Sequence, residues 1–303
     1  MRRFLIQFSV FLVPVVSFVL LLCFMADGHV DAFYVRMATP TQKSLILGTS
    51  RAAQGLQPRV FKEELNQEIF NFAFTVSHSP FGKVYYEAIQ KKHLREEEGL
   101  FVIAVDPWSL VSWCEDPNAV EDFRENILCL HRTRNVTAHP NWHYLYDNFS
   151  GKLKDLVPYL NRDGMYLHPD GWLEIDIPMD SASVALRTKK KLTVYRNENL
   201  PKVKFSTLRL SYLEKTIEYL KPFGPVYLVR LPVCREFTVM EEELMPDFDL
   251  KIKAAITASN GYLNLSEQGD DYQYTDGNHL HKDSGMRVSK LIAQWIKAQP
   301  QQP

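Results

Sequence analysis

Apolar residues run without a charge from Phe4 to Phe24, directly behind Met1-Arg2-Arg3. At about 1.5 Å per residue such a run crosses a hydrocarbon core of roughly 30 Å, so the pattern predicts one transmembrane helix. A cleaved signal peptide usually carries an apolar stretch of only about 7–15 residues. Phe24-Met25-Ala26 ahead of Asp27 is also a poor small-x-small cleavage site. A lipoprotein reading on Cys23 suffers from Leu22, which is not the small residue expected there. A polar-aromatic linker from Asp27 to Lys43 follows, and then short apolar runs alternate with helical periods. Ser44 to Gly48, Ile69 to Phe74, Leu100 to Val105, Gly224 to Arg230 and Gly261 to Leu265 read as five strands, the first and third of them buried. Ala52-Ala53-Gln54 opens a brief helical stretch. Phe81 to Glu97 places Val84, Tyr85, Ala88 and Ile89 on one helical face, and in Thr207 to Leu220 the residues Leu208, Leu213, Ile217 and Leu220 recur near helical spacing. Met240 to Ser259 predicts one or two helices broken near Pro246, and Gly285 to Lys297 a last helix with Val288, Leu291, Ile292, Trp295 and Ile296 on one face. Residues 107–204 read as a long irregular stretch. The fold class expected is α/β: a three-layer sandwich on an open, mostly parallel five-stranded sheet. Two units follow, an anchor over residues 1–27 and one domain over 28–303 with an insertion at about 107–204.

Composition narrows the picture. The chain has 303 residues, 46% hydrophobic and 12% aromatic, enough for a packed core. Its 35 basic and 36 acidic residues leave a net charge of −1, which argues against nucleic acid as the main partner. Arg2 and Arg3 stay cytoplasmic under the positive-inside rule, which places the domain outside the cytoplasmic (inner) membrane on a single pass. The four cysteines form no disulfide scaffold and have no zinc spacing; Cys114 and Cys129 can pair outside the cytosol or remain two buried thiols. Sequons at Asn135, Asn148 and Asn264 discriminate nothing. The basic run Arg187 to Lys191 is a solvated turn or a contact for an acidic glycan or lipid headgroups. Trp108, Trp113, Trp142 and Trp172, with Tyr144, Tyr146 and Tyr166, fall in the insertion. They form its own small core or a rim on which sugars stack.

In open α/β sheets, sites form at the C-terminal ends of the strands. Gly48-Thr49-Ser50 follows the first strand, where a serine hydroxyl can project from a strand–helix turn among backbone N–H groups. Tyr274 to His279 lies after the last strand, just before the final helix. There His279 offers a general base, and Asp276, three residues earlier, can orient its imidazole. Taken alone, each loop is more often a helix cap or a solvated turn. His279 with His281 offers two metal ligands and no third, and Gly48-Thr49-Ser50 lacks the Gly-Lys ending of a phosphate loop. No metal or cofactor is implied.

Together these residues resemble the SGNH (GDSL-like) hydrolases, in particular the membrane-anchored branch with the D-alanyl-lipoteichoic acid transfer and alginate O-acetylation proteins. Gly48-Thr49-Ser50-Arg51 matches the first family block, which holds the nucleophile. Asp276-Gly277-Asn278-His279 matches the last, which holds Asp and His. Residues 44–106 and 205–297 are covered. The resemblance implies a flavodoxin-like sandwich and a serine that forms or cleaves esters, with Ser50, His279 and Asp276 as its triad. The family's second block gives a glycine N–H to the oxyanion hole. Here Asn71 to Ser77 contains no glycine, leaving a backbone N–H of Val76 or Ser77 for that task. The third block normally carries an asparagine donor, and here Asp106-Pro107-Trp108-Ser109 has none. Losing one side-chain oxyanion donor typically costs about 10²–10³ in rate. The expected function is therefore an extracytoplasmic serine esterase or O-acyltransferase, slow or partner-dependent, acting on a cell-envelope glycan or acylated polymer. A membrane-bound O-acyltransferase is the expected protein partner. The alternative is an inactive SGNH-like scaffold that binds polysaccharide or docks that acyltransferase. Asn71 and Arg51 are candidates for shaping the site.

Overall fold

Five short apolar segments build the centre of the protein: β1 (Leu45–Leu47), β2 (Phe70–Asn71), β3 (Phe101–Ala104), β4 (Val226–Arg230) and β5 (Gly261–Asn264). The computed structural model describes residues 1–24, 33–132, 134–148 and 164–300. The linker up to residue 32 and the Asn148 sequon, whose second and third residues are 149 and 150, lie outside them. All four strand pairs are parallel, in the order β2-β1-β3-β4-β5. That is the flavodoxin-like order, in which the chain reverses direction across the sheet between β1 and β3.

Alternation along the strands supplies two cores. Leu45, Leu47, Phe101, Ile103, Val226 and Leu228 face one side. There they meet Val84, Tyr85 and Ile89 of α4 (Lys83–Lys92), Leu213 and Ile217 of α6 (Thr207–Leu220) and Met240 of α7 (Arg235–Leu244). Ile46, Val102, Ala104, Tyr227 and Val229 face the other side. They are covered by Ala52 and Leu56 of α2 (Ser50–Gly55), Phe61 of α3 (Pro58–Leu65) and Val288, Ile292 and Ile296 of α8 (Lys282–Lys297). The molecule is therefore a three-layer α/β/α sandwich. β2 is shorter than its apolar run, although Phe72 and Phe74 still donate to the Ile46 and Gly48 carbonyls at 2.8 and 3.3 Å. α3 has no counterpart among the expected elements: eight residues opened by Pro58 give too few turns for a period to show.

The described part of the insertion holds more regular structure than its sequence suggests. Val111–Ser112 pairs antiparallel with Lys204–Phe205 and draws its two ends together. Inside lie the hairpin Met165–Leu167 with Leu173–Ile175 and helix α5 (Ser181–Val194). The basic run Arg187 to Lys191 is thus helix, not turn. Glu125 and Arg209, both almost fully buried, tie the insertion to α6 through bonds of 2.7 and 3.2 Å. Trp108 and Trp172 are buried, whereas Trp142 and Tyr146 are exposed. Cys114 is a free thiol that donates to the Asp122 carbonyl and so does not pair with Cys129, which is buried.

The N-terminal helix α1 (Arg2–Phe24) has a mean hydropathy of 2.6 over its most apolar window and is long enough to cross a membrane. Its side chains are exposed almost throughout, but Leu22 and Cys23 in the last turn are buried. Phe24 packs edge-on against His139 with ring centroids 5.9 Å apart, and the same imidazole lies 6.0 Å from Tyr34.

Candidate active site

β1 ends in a turn that only glycine accommodates. Gly48 has φ +141°, and a Cβ there would lie 3.0 Å from both the Cβ and the carbonyl oxygen of Ala104. Thr49 stays extended, and Ser50 opens α2. The Ser50 N–H therefore belongs to the first helical turn, whose donors lack intrahelical acceptors. Across the sheet end, the Tyr274–Leu280 bridge and the Thr275 N–H to His279 carbonyl bond pinch residues 275–279 into a tight loop. Gly277 turns it with φ +77°. Asp276 Oδ1 accepts the backbone N–H groups of Asn278 and His279 at 3.1 and 3.0 Å, which fixes its carboxylate beside the imidazole.

The two loops meet. His279 Nε2 lies 2.8 Å from Ser50 Oγ, and His279 Nδ1 lies 2.9 Å from Asp276 Oδ2. The carboxylate accepts a hydrogen bond from Nδ1–H, which leaves Nε2 as acceptor for the serine hydroxyl. Burial pushes the His279 pKa below its ordinary value, assisted by the charges of Lys191 and Arg51 and opposed by Asp276. Burial alone would raise Asp276. His279, Lys191 and the Asn278 N–H outweigh it and hold the carboxyl well below its usual range. A serine hydroxyl, a neutral imidazole and an ionised carboxylate are thus assembled at the switch point of the sheet.

The remaining expected residues divide. Val76 lies half-buried in the turn after β2, and its N–H bonds to nothing among the described residues. Ser77 is committed elsewhere: its N–H donates to Thr75 Oγ1 at 3.2 Å and its hydroxyl accepts from Arg124 at 2.7 Å. Asn71 sits beneath the site rather than in it. Its amide donates to the Ala52 and Leu56 carbonyls, both at 2.9 Å, and so holds the far end of α2. Arg51 is buried at the centre of an ionic cluster, with Nη1 2.5 Å from Glu241 Oε1 and 3.9 Å from Asp106 Oδ2. Glu241 also receives Arg230 at 3.1 Å. Asp106 stands where the resemblance calls for the asparagine block, and it faces Arg51. His281 faces Asp283 and caps α8. No group of three metal-binding side chains converges among the described residues.

Two contributors were not anticipated. Asn278 is buried, and its Oδ1 accepts both Arg51 Nε and Nη2, at 3.0 and 2.7 Å. This leaves its Nδ2 3.4 Å from His279 Nε2. Helix α5 of the insertion also reaches the 275–279 loop. Lys191 Nζ lies 3.4 Å from Asp276 Oδ2, and Arg187 donates to the Thr275 carbonyl at 2.8 Å. Between α5 and residues 272–277 lies a cleft of about 780 Å³, lined in part by Val184, Thr188, Leu192, Cys234, Tyr272 and Tyr274. The chain matches no protein-family model and no curated protein.

Proposed function

We propose that the protein is an SGNH-like serine esterase or O-acyltransferase, anchored by α1 with its domain outside the cytoplasmic membrane. The Ser50–His279–Asp276 chain of contacts at the sheet's switch point carries this reading. His279 Nε2 takes the hydroxyl proton as Ser50 Oγ attacks the acyl carbon, and Asp276 stabilises the imidazolium that forms. The oxyanion lies against the first-turn N–H of Ser50 and the free N–H of Val76. The imidazolium returns its proton to the leaving alcohol, and a second hydroxyl then releases the acyl group from Ser50.

Two donors in place of three fit transfer to a cell-envelope glycan or polymer better than fast hydrolysis, with a membrane-bound O-acyltransferase supplying the acyl group. Asp106 in the asparagine's place also fits a second reading, a non-catalytic scaffold docking that acyltransferase or a polysaccharide. A fluorophosphonate probe separates the two. The enzyme reading expects labelling that Ser50→Ala and His279→Ala abolish, together with loss of the cell-envelope phenotype. Full complementation of a deletion by Ser50→Ala would leave only the scaffold.

A further inference from the structure

Asn278 is a buried polar side chain beside the proposed triad that has no part in it. Its orientation is set: two N–H groups of Arg51 point at Oδ1, so the NH₂ end must face His279. That end has one hydrogen-bonding contact among the described residues, the Nε2 atom at 3.4 Å, which is long for a hydrogen bond and already taken by Ser50 Oγ at 2.8 Å. The donor is therefore nearly idle in the resting site. Its support is not. Arg51 is held by Glu241 and Asp106, and Glu241 by Arg230, all of them buried. Burying such a cluster costs more than packing the same volume with apolar side chains. What it achieves locally is to hold one amide rigidly next to the reacting atoms.

Resting on the acyl-transfer reading, we propose that Asn278 Nδ2 donates a hydrogen bond to the hydroxyl oxygen that exchanges its proton with His279, with Arg51 as the positioning residue that aims it. An oxygen bound to Nε2 can also lie within reach of an amide 3.4 Å from Nε2. That oxygen is the alcohol departing in acylation, or the alcohol or water attacking in deacylation. In the second step its proton passes to Nε2 as it bonds to the acyl carbon. The tetrahedral intermediate then collapses with cleavage of the bond from that carbon to Ser50 Oγ, and the imidazolium returns the proton to Oγ. The oxygen carries developing negative charge while its proton is in flight, and a fixed N–H donor stabilises that charge.

The test compares two probes on the full-length protein in detergent. A fluorophosphonate expels fluoride and requires no alcohol oxygen at this position. Acetyl-Ser50, formed with p-nitrophenyl acetate and followed by intact mass, decays only through attack by water. Asn278→Ala, and Asn278→Asp, which keeps an acceptor for Arg51, should take the fluorophosphonate within a few-fold of the wild-type rate. Both should lengthen the life of acetyl-Ser50 by roughly 10²-fold. Arg51→Lys, which keeps the charge beside Glu241 but loses the fork on Oδ1, should shift the ratio of the two rates in the same direction. Unchanged decay with intact labelling overturns the role of Asn278 alone. An equal fall in both rates also overturns it, since that marks a purely structural residue. A wild type that takes neither probe at Ser50, or only the fluorophosphonate, overturns the acyl-transfer reading itself and this role with it.

Discussion

His279 must be unprotonated to act as a base, and its surroundings favour that state. Burial, Lys191 and Arg51 lower its pKa against the pull of Asp276. The imidazole is therefore neutral at pH 7 and gains its proton only as the pH falls below the ordinary histidine value of about 6.5. Fluorophosphonate labelling should stay level from neutral into mildly acid solution and fall below that point. Lys191→Gln removes a positive charge 3.4 Å from Asp276 Oδ2, so the midpoint of that fall should move to higher pH. Lys191→Arg should leave it near the wild-type position. A midpoint that stayed put in Lys191→Gln would show that the ion pair does not reach the imidazole. Linkage runs the same way for both groups. The folded values of His279 and Asp276 are depressed, so each contributes stability that is present above its unfolded value and lost as the pH falls through its folded one.

At the level of elements, the central strands and the long helices packed on the sheet were legible because each buries a face. β3 and β4 read as unbroken apolar runs since helices cover both sides of the sheet. Helix α5 was not legible, because none of its residues is buried and its inward side chains line a cleft instead of a core. The site shows the same division. Ser50, Asp276 and His279 stand in short motifs at strand ends, where local sequence signals chemistry. The environment of Asn278 depends on Arg51, 227 positions away, and no local pattern encodes that meeting. One buried joint between insertion and sandwich is the Glu125–Arg209 pair, reinforced by the Arg209 bond to the Phe81 carbonyl and by Phe123 stacked 4.0 Å from the guanidinium. Arg209→Ala strands a buried carboxylate, and a loss of roughly 3–5 kcal/mol is expected from urea denaturation. A change below about 1 kcal/mol, the range of exposed pairs, would mean that Glu125 finds water or another partner.

At the scale of the whole molecule, one apolar helix precedes a sandwich with its own two cores. Full-length protein should remain in the membrane fraction after carbonate washing. A chain lacking residues 1–24 should be released and still take the fluorophosphonate at Ser50. Release of the intact chain by carbonate would contradict a spanning helix. The last turn of α1 adds a further constraint, because Leu22 and Cys23 are seated in the domain and Phe24 rests on His139. At about 1.5 Å per residue, the helix ahead of them is only just as long as a hydrocarbon core is thick. With α1 in a bilayer, the domain stands directly on the lipid headgroups, like a foot on a floor. Its encounters with another membrane protein then become a search in two dimensions, governed by copies per unit area and by lateral diffusion. Dilution of the surrounding medium would leave that encounter rate unchanged.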